Sequence, residues 1–370
     1  MRKRILKNMD WSILICTVLL LAIGLFAIFS ANVNSNSDEF RKQIIWILVS
    51  IPFMVACIFI DYKTIAKLSP ILYGIILIAL VGVLFTTPQN GATSWFIIGS
   101  VSIQPSEFAK VIAIVFISFI MSRMKEKGGT REINRPTRLL IIIAALGIPL
   151  ALIVKQPDFG TAMAFMVAFI MMLFIAGIDK KYIITGLLIA AIALPLLYFF
   201  VLPDHAKTRI QVFLNPDLDP RGAGYNLTQS KLAIGAGQLF GMGYLKGNQT
   251  QLGFLYPKST DFIFSVIGEE LGFFIAAAIV ILYVILITKA IMVAKTAKDD
   301  LGAIIAIGIS GILLFHMTEN IGMTIGLLPI TGVPLPFVSY GGSSLLSNLI
   351  MIALLLNISG RRDKKIFTNI

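Results

Sequence analysis

Ten stretches of this 370-residue chain are apolar over lengths close to what one helix needs to cross a lipid bilayer. A hydrocarbon layer about 30 Å thick takes roughly 20 residues at a rise of about 1.5 Å each. The stretches are Trp11–Ala31, Gln43–Ile60, Ile65–Phe85, Phe108–Met121, Leu139–Val154, Gly160–Ile178, Tyr182–Leu202, Phe262–Ala294, Leu301–Leu328 and Tyr340–Ile358. The fourth and fifth are short for a span, and Pro149 interrupts the fifth. Only 14% of the residues are charged against 57% hydrophobic, whereas soluble domains run near 25% charged. Too little polar surface exists to coat two or three soluble cores. The chain reads as an all-α polytopic membrane protein of about ten helices forming one integral domain over residues 1–370.

Charge then orients the bundle. The net charge of +12, from 31 Lys and Arg against 19 Asp and Glu, fits loops enriched in cations on the cytoplasmic side better than nucleic-acid binding. Arg2, Lys3, Arg4 and Lys7, then Lys63 and Lys67, then Arg123 to Arg138, Lys180 and Lys181, Lys295 and Lys298, and Arg361 to Lys365 all fall on one side of the ten stretches. The other side has only Arg41, Lys42 and Lys155 in its short loops. Both termini are therefore expected in the cytoplasm, which an even number of spans permits. The basic start resembles a secretory leader, but its apolar run is too long and lacks a clear small-residue cleavage site. A retained first helix follows. Residues 203–260 form a long extracytoplasmic loop between the seventh and eighth spans. Its apolar residues, among them Phe213, Leu239, Phe240 and Phe254, suggest partial helices lying against the bundle or the membrane.

Ionisable residues near membrane depth are costly and mark sites or buried pairs. Glu107 and Lys110, three apart on one helical face, either form a salt bridge that holds the helix entrance or leave Lys110 as a cation for a phosphate. Ser106 is placed to cap that helix. Asp158 reads as a cap for the sixth span, with Lys155 as its counter-ion, or as a chemical group. Asp261 stands where the long loop meets the eighth span. It is either an N-cap or a carboxylate whose partial desolvation raises its pKa towards that of a useful general base. Glu269 and Glu270 follow on the same span. Thr331 to Ser344, with two prolines and a glycine pair, cannot be simple helix, so it packs as a re-entrant or external loop. His316 and Glu319 share a face of the ninth span, and a buried hydrogen-bonded pair explains them with fewer assumptions than a proton relay. No Walker A, HExxH or GxSxG motif occurs, and Cys16 and Cys57 offer neither a disulfide framework nor a metal site.

Read in order, these motifs resemble the SEDS family (shape, elongation, division and sporulation) of bacterial cell-wall polymerases. The resemblance runs from the second span to the tenth. It rests on Ile103 to Lys110 (IQPSEFAK), Gln156 to Ala162 (QPDFGTA), Gly224-Tyr-Asn, Gln229-Ser230, Ala233 to Gly237 (AIGAG), Thr260 to Gly272 (TDFIFSVIGEELG) and Pro336 to Ser344 (PFVSYGGSS). Gly332 to Pro336 and Gly237 to Gly241 look more like the elongation members than the division members. Two departures stand out. Ser94 precedes Trp95 where family members often have Arg, and Leu255 to Ser259 (LYPKS) replaces a Leu-Pro-Glu-x-His stretch, so these positions receive no chemical role.

The resemblance implies a peptidoglycan glycosyltransferase that joins lipid II units outside the bacterial plasma membrane, alongside a class B penicillin-binding protein. It implies Asp261 as the catalytic aspartate, and Glu107, Lys110 and Asp158 as residues of a polar central cavity. The chemistry transfers a glycan from a polyprenyl pyrophosphate to a sugar hydroxyl with inversion, needing a base and cations for the leaving group. Asp261 is the expected base, Lys110 the expected pyrophosphate contact and Arg209 a second cation. No cofactor is implied, and no compact ligand motif argues for a protein-bound divalent cation. A lipid II flippase or other transporter is the rival class, and a scaffold that only positions its penicillin-binding partner is a third. Transport predicts alternating access and a repeat between chain halves, which the sequence does not display.

Overall fold

The computed structural model describes residues 2–34, 37–88, 93–99, 101–200 and 204–362. Lys364, Lys365, Leu202 and Pro203, which entered the reading of topology above, lie outside them. Its helices are α1 (Arg2–Asn8), α2 (Trp11–Asn32), α3 (Glu39–Phe59), α4 (Tyr62–Val83), α5 (Pro105–Ile133), α6 (Pro136–Lys155), α7 (Phe159–Ala176), α8 (Lys180–Phe200), α9 (Asp204–Leu214), α10 (Ala223–Gly237), α11 (Asn248–Gln251), α12 (Ile263–Lys295), α13 (Asp300–Thr324) and α14 (Gly342–Gly360). Among the described residues, nine of these are long and apolar enough to cross a membrane. Helix α8, 21 residues long, occupies the seventh apolar stretch. The chain is thus a polytopic helical membrane protein.

Local chemistry explains where the helices begin. Asp10, Asp61, Asp158 and Asp299 each accept a backbone N–H from the first turn of α2, α4, α7 and α13, satisfying donors that a helix start leaves open. Two sequence expectations need correction. The fourth and fifth spans are not short, since α5 has 29 residues and α6 has 20. Helix α5 continues past Met121 because its next residues, though charged, are good helix formers, and it breaks only at Gly128 and Gly129. Pro149 does not interrupt α6, just as Pro52 and Pro70 sit within α3 and α4; neighbouring helices satisfy the backbone groups that a proline frees.

The core centres on α13, which packs against α7, α12 and α5, while α14 packs against α3 and α2 against α12. At the end of the bundle that carries the termini, ion pairs tie the helix turns together. Lys63 meets Asp299 at 2.8 Å, Lys125 meets Asp300 at 2.6 Å and Arg361 meets Asp61 at 3.4 Å. These basic residues belong to the set that the sequence gathers on one side.

At the opposite end a short antiparallel hairpin, β1 (Phe96–Ile98) with β2 (Val101–Ile103), precedes α5; the sequence reading did not anticipate it. The long loop there contains α9, a 3₁₀ turn at Pro216–Leu218, α10 and α11, the partial helices that its apolar residues suggested. Two buried carboxylates of α12 hold this segment down. Glu269 accepts from the backbone N–H groups of Gln249 (2.6 Å) and Thr250 (3.0 Å) and from the Thr250 hydroxyl (2.6 Å). Glu270 accepts from Ser30 Oγ of α2 (2.5 Å), Leu245 N (3.1 Å) and Gln251 Nε2 (2.7 Å). Negative charge at the start of α11 suits the N–H groups that a helix start leaves without partners inside the helix.

Just beyond these glutamates α12 bends at Gly272, whose φ is +77°. The bend lets Phe273 N donate to Gln238 O at 2.9 Å. A Cβ on Gly272 would lie 2.2 Å from Gly241 N, so both conformation and space demand glycine. Gly272→Ala should therefore destabilise the protein by about 2 kcal/mol or more. Gly235→Ala, on a helical position of α10 with nothing within 4 Å, should be neutral or stabilising by about 0.5–1 kcal/mol. Thermal unfolding of the two purified variants in detergent checks the contrast; equal midpoints would contradict it.

Candidate active site

The site is built on a buried ion pair. Lys110 Nζ lies 3.0 and 2.9 Å from the two carboxylate oxygens of Glu107, one turn earlier on α5. Lys110 is 0% exposed and Glu107 2%. The Ser347 hydroxyl of α14 donates to Glu107 Oε2 at 3.0 Å. On the other side Lys110 Nζ stands 3.1 Å from His316 Nε2 of α13, and His316 Nδ1 stands 3.1 Å from Pro334 O. An ammonium only donates and a carbonyl only accepts, so His316 must carry its proton on Nδ1 and accept at Nε2. Five groups from α5, α13, α14 and the loop after α13 thus form one connected chain.

Asp158 closes the adjoining layer. One carboxylate oxygen caps α7 through Thr161 N at 3.1 Å. The other accepts from Gln104 Nε2 at 3.0 Å and Ser106 Oγ at 3.1 Å, joining the start of α7 to the start of α5. Burial pushes the Asp158 carboxyl above the usual carboxylate range, against the Thr161 hydrogen bonds, which lower it.

Asp261 lies farther towards the loop end. It precedes α12 without capping it: the N-cap is Phe262, and no side chain caps that helix start. Asp261 as a residue is half-buried, and its carboxylate stands over Gly332, where a Cβ would come within 3.2 Å of Asp261 Oδ2. Gly332 has φ +75°, a conformation that brings bare backbone under the acid. Burial raises the pKa of Asp261, while a hydrogen bond from Thr260 and the positive charge of Arg209 lower it. Arg209, exposed on α9, donates to Thr331 O at 3.2 Å.

The segment from Ile325 to Gly341, between α13 and α14, is non-helical, as its prolines and glycines required. Val333, Leu335, Phe337 and Val338 within it are buried. Its polar groups find partners on every side. Ser339 Oγ accepts from Leu335 N (2.9 Å) and donates to Thr260 O (2.6 Å), Tyr340 N donates to Ser259 O (2.9 Å) and Gln43 Nε2 of α3 donates to Ser339 O (3.3 Å). Tyr283 OH of α12 donates to Pro336 O. Asn320 of α13 donates from one Nδ2 to both Asp261 O (3.0 Å) and Val333 O (2.8 Å). Among the described residues no three His, Cys, Asp or Glu side chains converge as a metal-ligand set.

The family profile described as Cell cycle protein, covering FtsW, RodA and SpoVE, matches residues 10–364. The chain belongs to the FtsW/RodA/SpoVE family. The peptidoglycan glycosyltransferase RodA of Treponema pallidum (strain Nichols) is 31% identical over 98% of this chain and 100% of its own length. The peptidoglycan glycosyltransferase MrdB of Escherichia coli (strain K12) is 33% identical over 96% of this chain and 94% of its own. Among solved structures, a chain of a peptidoglycan synthase complex that coordinates polymerization and crosslinking superposes with a TM-score of 0.82 at 25% identity, covering 96% of this chain and 99% of that one.

Within this FtsW/RodA/SpoVE member, the structure divides the residues singled out in the sequence. Glu107, Lys110 and Asp158 come together through Ser106 and the first turns of α5. Asp261 and Arg209 lie with the loop around Gly332. Lys110 forms the salt bridge that was one of its two readings, and its ammonium faces inward. Ser106 does not cap α5; Gln104 occupies the N-cap position, and Ser106 binds Asp158 instead. Lys155 is exposed and is not among the partners of Asp158. His316 and Glu319 do not pair with each other: His316 turns to Lys110 and Pro334, Glu319 to the Thr331 hydroxyl. Asn320, Ser347 and Gln43 were not singled out, and Ser339 entered only as part of the Pro336 to Ser344 motif. Asn320 also left a trace, since it falls four residues after His316 on the same helical face.

Lys110→Met should leave Glu107 buried without its counter-charge and cost roughly 3–5 kcal/mol. Combining it with Glu107→Leu removes both charges and should recover most of that loss. Thermal midpoints of the two single variants and the double variant measure the coupling; additive losses would show that the pair does not act as a unit.

Proposed function

We propose that this chain is a peptidoglycan glycosyltransferase that polymerises lipid II into glycan strands, with Asp261 as its general base. Family membership supports the activity. One structural observation carries the role of the acid: the Asp261 carboxylate is not spent on capping α12 but stands over the bare backbone of Gly332. Glu107, Asp158, Glu269 and Glu270 all have their oxygens occupied by internal donors.

In the proposed reaction Asp261 takes the proton of the acceptor sugar's 4-hydroxyl as that oxygen attacks C1 of the donor glycan. The C1–oxygen bond to the polyprenyl pyrophosphate breaks, the configuration at C1 inverts and the pyrophosphate leaves with the bond's electron pair. A carboxyl held above its usual range is a stronger base once ionised, and Arg209 opposes that rise by favouring the charged form. Arg209, whose charge acts on the acid, also balances charge developing on the leaving pyrophosphate. Lys110 acts at a distance by fixing the chain of groups that ends at Pro334.

The protein resides in the bacterial plasma membrane with both termini in the cytoplasm, so that Asp261 faces outward. The apolar body admits substrates that carry lipid tails. A class B penicillin-binding protein is its partner, a reading supported by the related chain found in a synthase complex. The motifs at Gly237 to Gly241 and Gly332 to Pro336 favour a role in elongation. The rival reading is a lipid II flippase, which the connected groups inside the bundle would also suit.

Asp261→Asn should lower lipid II polymerisation by about 10²- to 10⁴-fold at normal expression, measured as glycan strands formed by purified protein with and without its partner. Retained polymerisation would remove Asp261 from the role, and liposomes that scramble labelled lipid II without making polymer would favour the flippase. Activity should also fall on acidification as the Asp261 carboxylate is protonated. Because Arg209 lowers that pKa, Arg209→Ala should move the acid limb of the rate profile to higher pH. A limb that moves to lower pH, or stays in place, would separate the two residues.

A further inference from the structure

Asn320 is the one side chain on a membrane-crossing helix, among the described residues, that bonds both segments meeting at Asp261. Its Nδ2 reaches Asp261 O at 3.0 Å and Val333 O at 2.8 Å. Both partners are carbonyl oxygens that can only accept, so the amide orientation is fixed. Its Oδ1 is consequently turned away and has no partner, though Asn320 is 0% exposed. A buried acceptor left unsatisfied is unfavourable, and an apolar residue would fill the same space without it. The two carbonyls explain why an amide is nonetheless present. They belong to the chain just before α12 and to the loop after α13, the segments that set the Asp261 carboxylate over Gly332. The same face of α13 supplies His316 to Pro334 O and Glu319 to Thr331. A regular helix therefore acts as the rigid base against which both irregular segments are set.

We propose that Asn320 is a positioning residue for glycan transfer, holding the backbone of Asp261 at a fixed distance from the Gly332 loop so that the carboxylate meets the acceptor hydroxyl. This rests on Asp261 as the base and adds a residue that acts through it. The loss should fall on the chemical step more than on substrate binding, because Asn320 bonds only backbone groups of the site.

The test compares Asn320→Ala with Asn357→Ala in the purified full-length chain, with lipid II as substrate. Asn357 is a matched control: it is buried, on α14 at the opposite end of the bundle, and donates likewise to two backbone carbonyls, Cys57 O and Ile60 O. Both variants should lose thermal stability. Asn320→Ala should lower kcat by about 10- to 100-fold with KM within about 3-fold, whereas Asn357→Ala should keep kcat within about 2-fold. Asn320→Ser, whose hydroxyl still donates to one carbonyl, should fall between wild type and Asn320→Ala, and it is read by the same criteria if the alanine variant does not fold. A wild-type kcat in the position-320 variants, or an equal loss in Asn357→Ala, overturns the positioning role while leaving Asp261 as base. Full activity in Asp261→Asn overturns the base itself, and the positioning role with it.

Discussion

A lysine with no exposure to solvent, inside a bundle of apolar helices, dictates much of what surrounds it. Removing an ammonium and a carboxylate from water costs several kcal/mol for each ion, and their attraction offsets this only when hydrogen bonds satisfy what remains. Lys110 and Glu107 meet that condition by recruiting α13 through His316 and α14 through Ser347. The demand for satisfaction then passes outward. His316, having accepted from Lys110, must donate from its other nitrogen, and the available acceptor is a carbonyl of the proline-rich loop. An ion pair on one helix in this way sets the place of a segment that has no regular structure of its own.

That segment raises a second constraint. Irregular backbone at membrane depth survives only where protein or a polar cavity satisfies its amide groups. The stretch after α13 is covered by Gln43, Tyr283, Asn320 and Ser339 together with the residues just before α12. These bonds do more than remove a penalty. Asn320 and Ser339 join the loop carrying Gly332 to the chain carrying Asp261, so groups that make the loop tolerable in the membrane also bear on the spacing of the site. Stability and geometry are the same set of contacts here. Substitutions that spare Asp261 itself can therefore reach the chemistry through the frame.

Much of this architecture was legible beforehand. Apolar runs of span length gave the helices, and Pro334, Pro336 and the Gly341-Gly342 pair ruled out a helix between the last two. The asymmetric lysines and arginines grouped Lys63, Lys125 and Arg361, which meet acidic partners at one end. Where the reading failed, the cause was a tertiary partner that no local pattern encodes. Ser106 looks like a cap because serine commonly is one, yet Asp158, fifty-two residues away, offers it a better acceptor. His316 and Glu319 look like a pair because of their spacing, but Lys110 and Thr331 approach from other elements and take one each. Glycine at 272 was visible as a residue, whereas the backbone of Phe240 and Gly241 that requires it was not. The hairpin before α5 consists of strands of three residues, below the length at which alternation can be read.

The distribution of carboxylates bears on the chemistry proposed for the site. Hydrolysis of an ordinary glycosidic bond uses two carboxyl groups, because the leaving alcohol must be protonated while another group attacks or activates water. A pyrophosphate departs as a stable anion and needs no acid, so transfer from a lipid pyrophosphate requires one base and some positive charge. The site matches the second demand rather than the first. Glu107 is tied to a lysine, Asp158 to three donors and Glu319 to the Thr331 hydroxyl. Asp261 alone among them combines partial exposure with a neighbouring arginine and a bare glycine beneath its oxygens. A single carboxylate set apart in this way suits the transfer proposed, in which the donor brings its own leaving group.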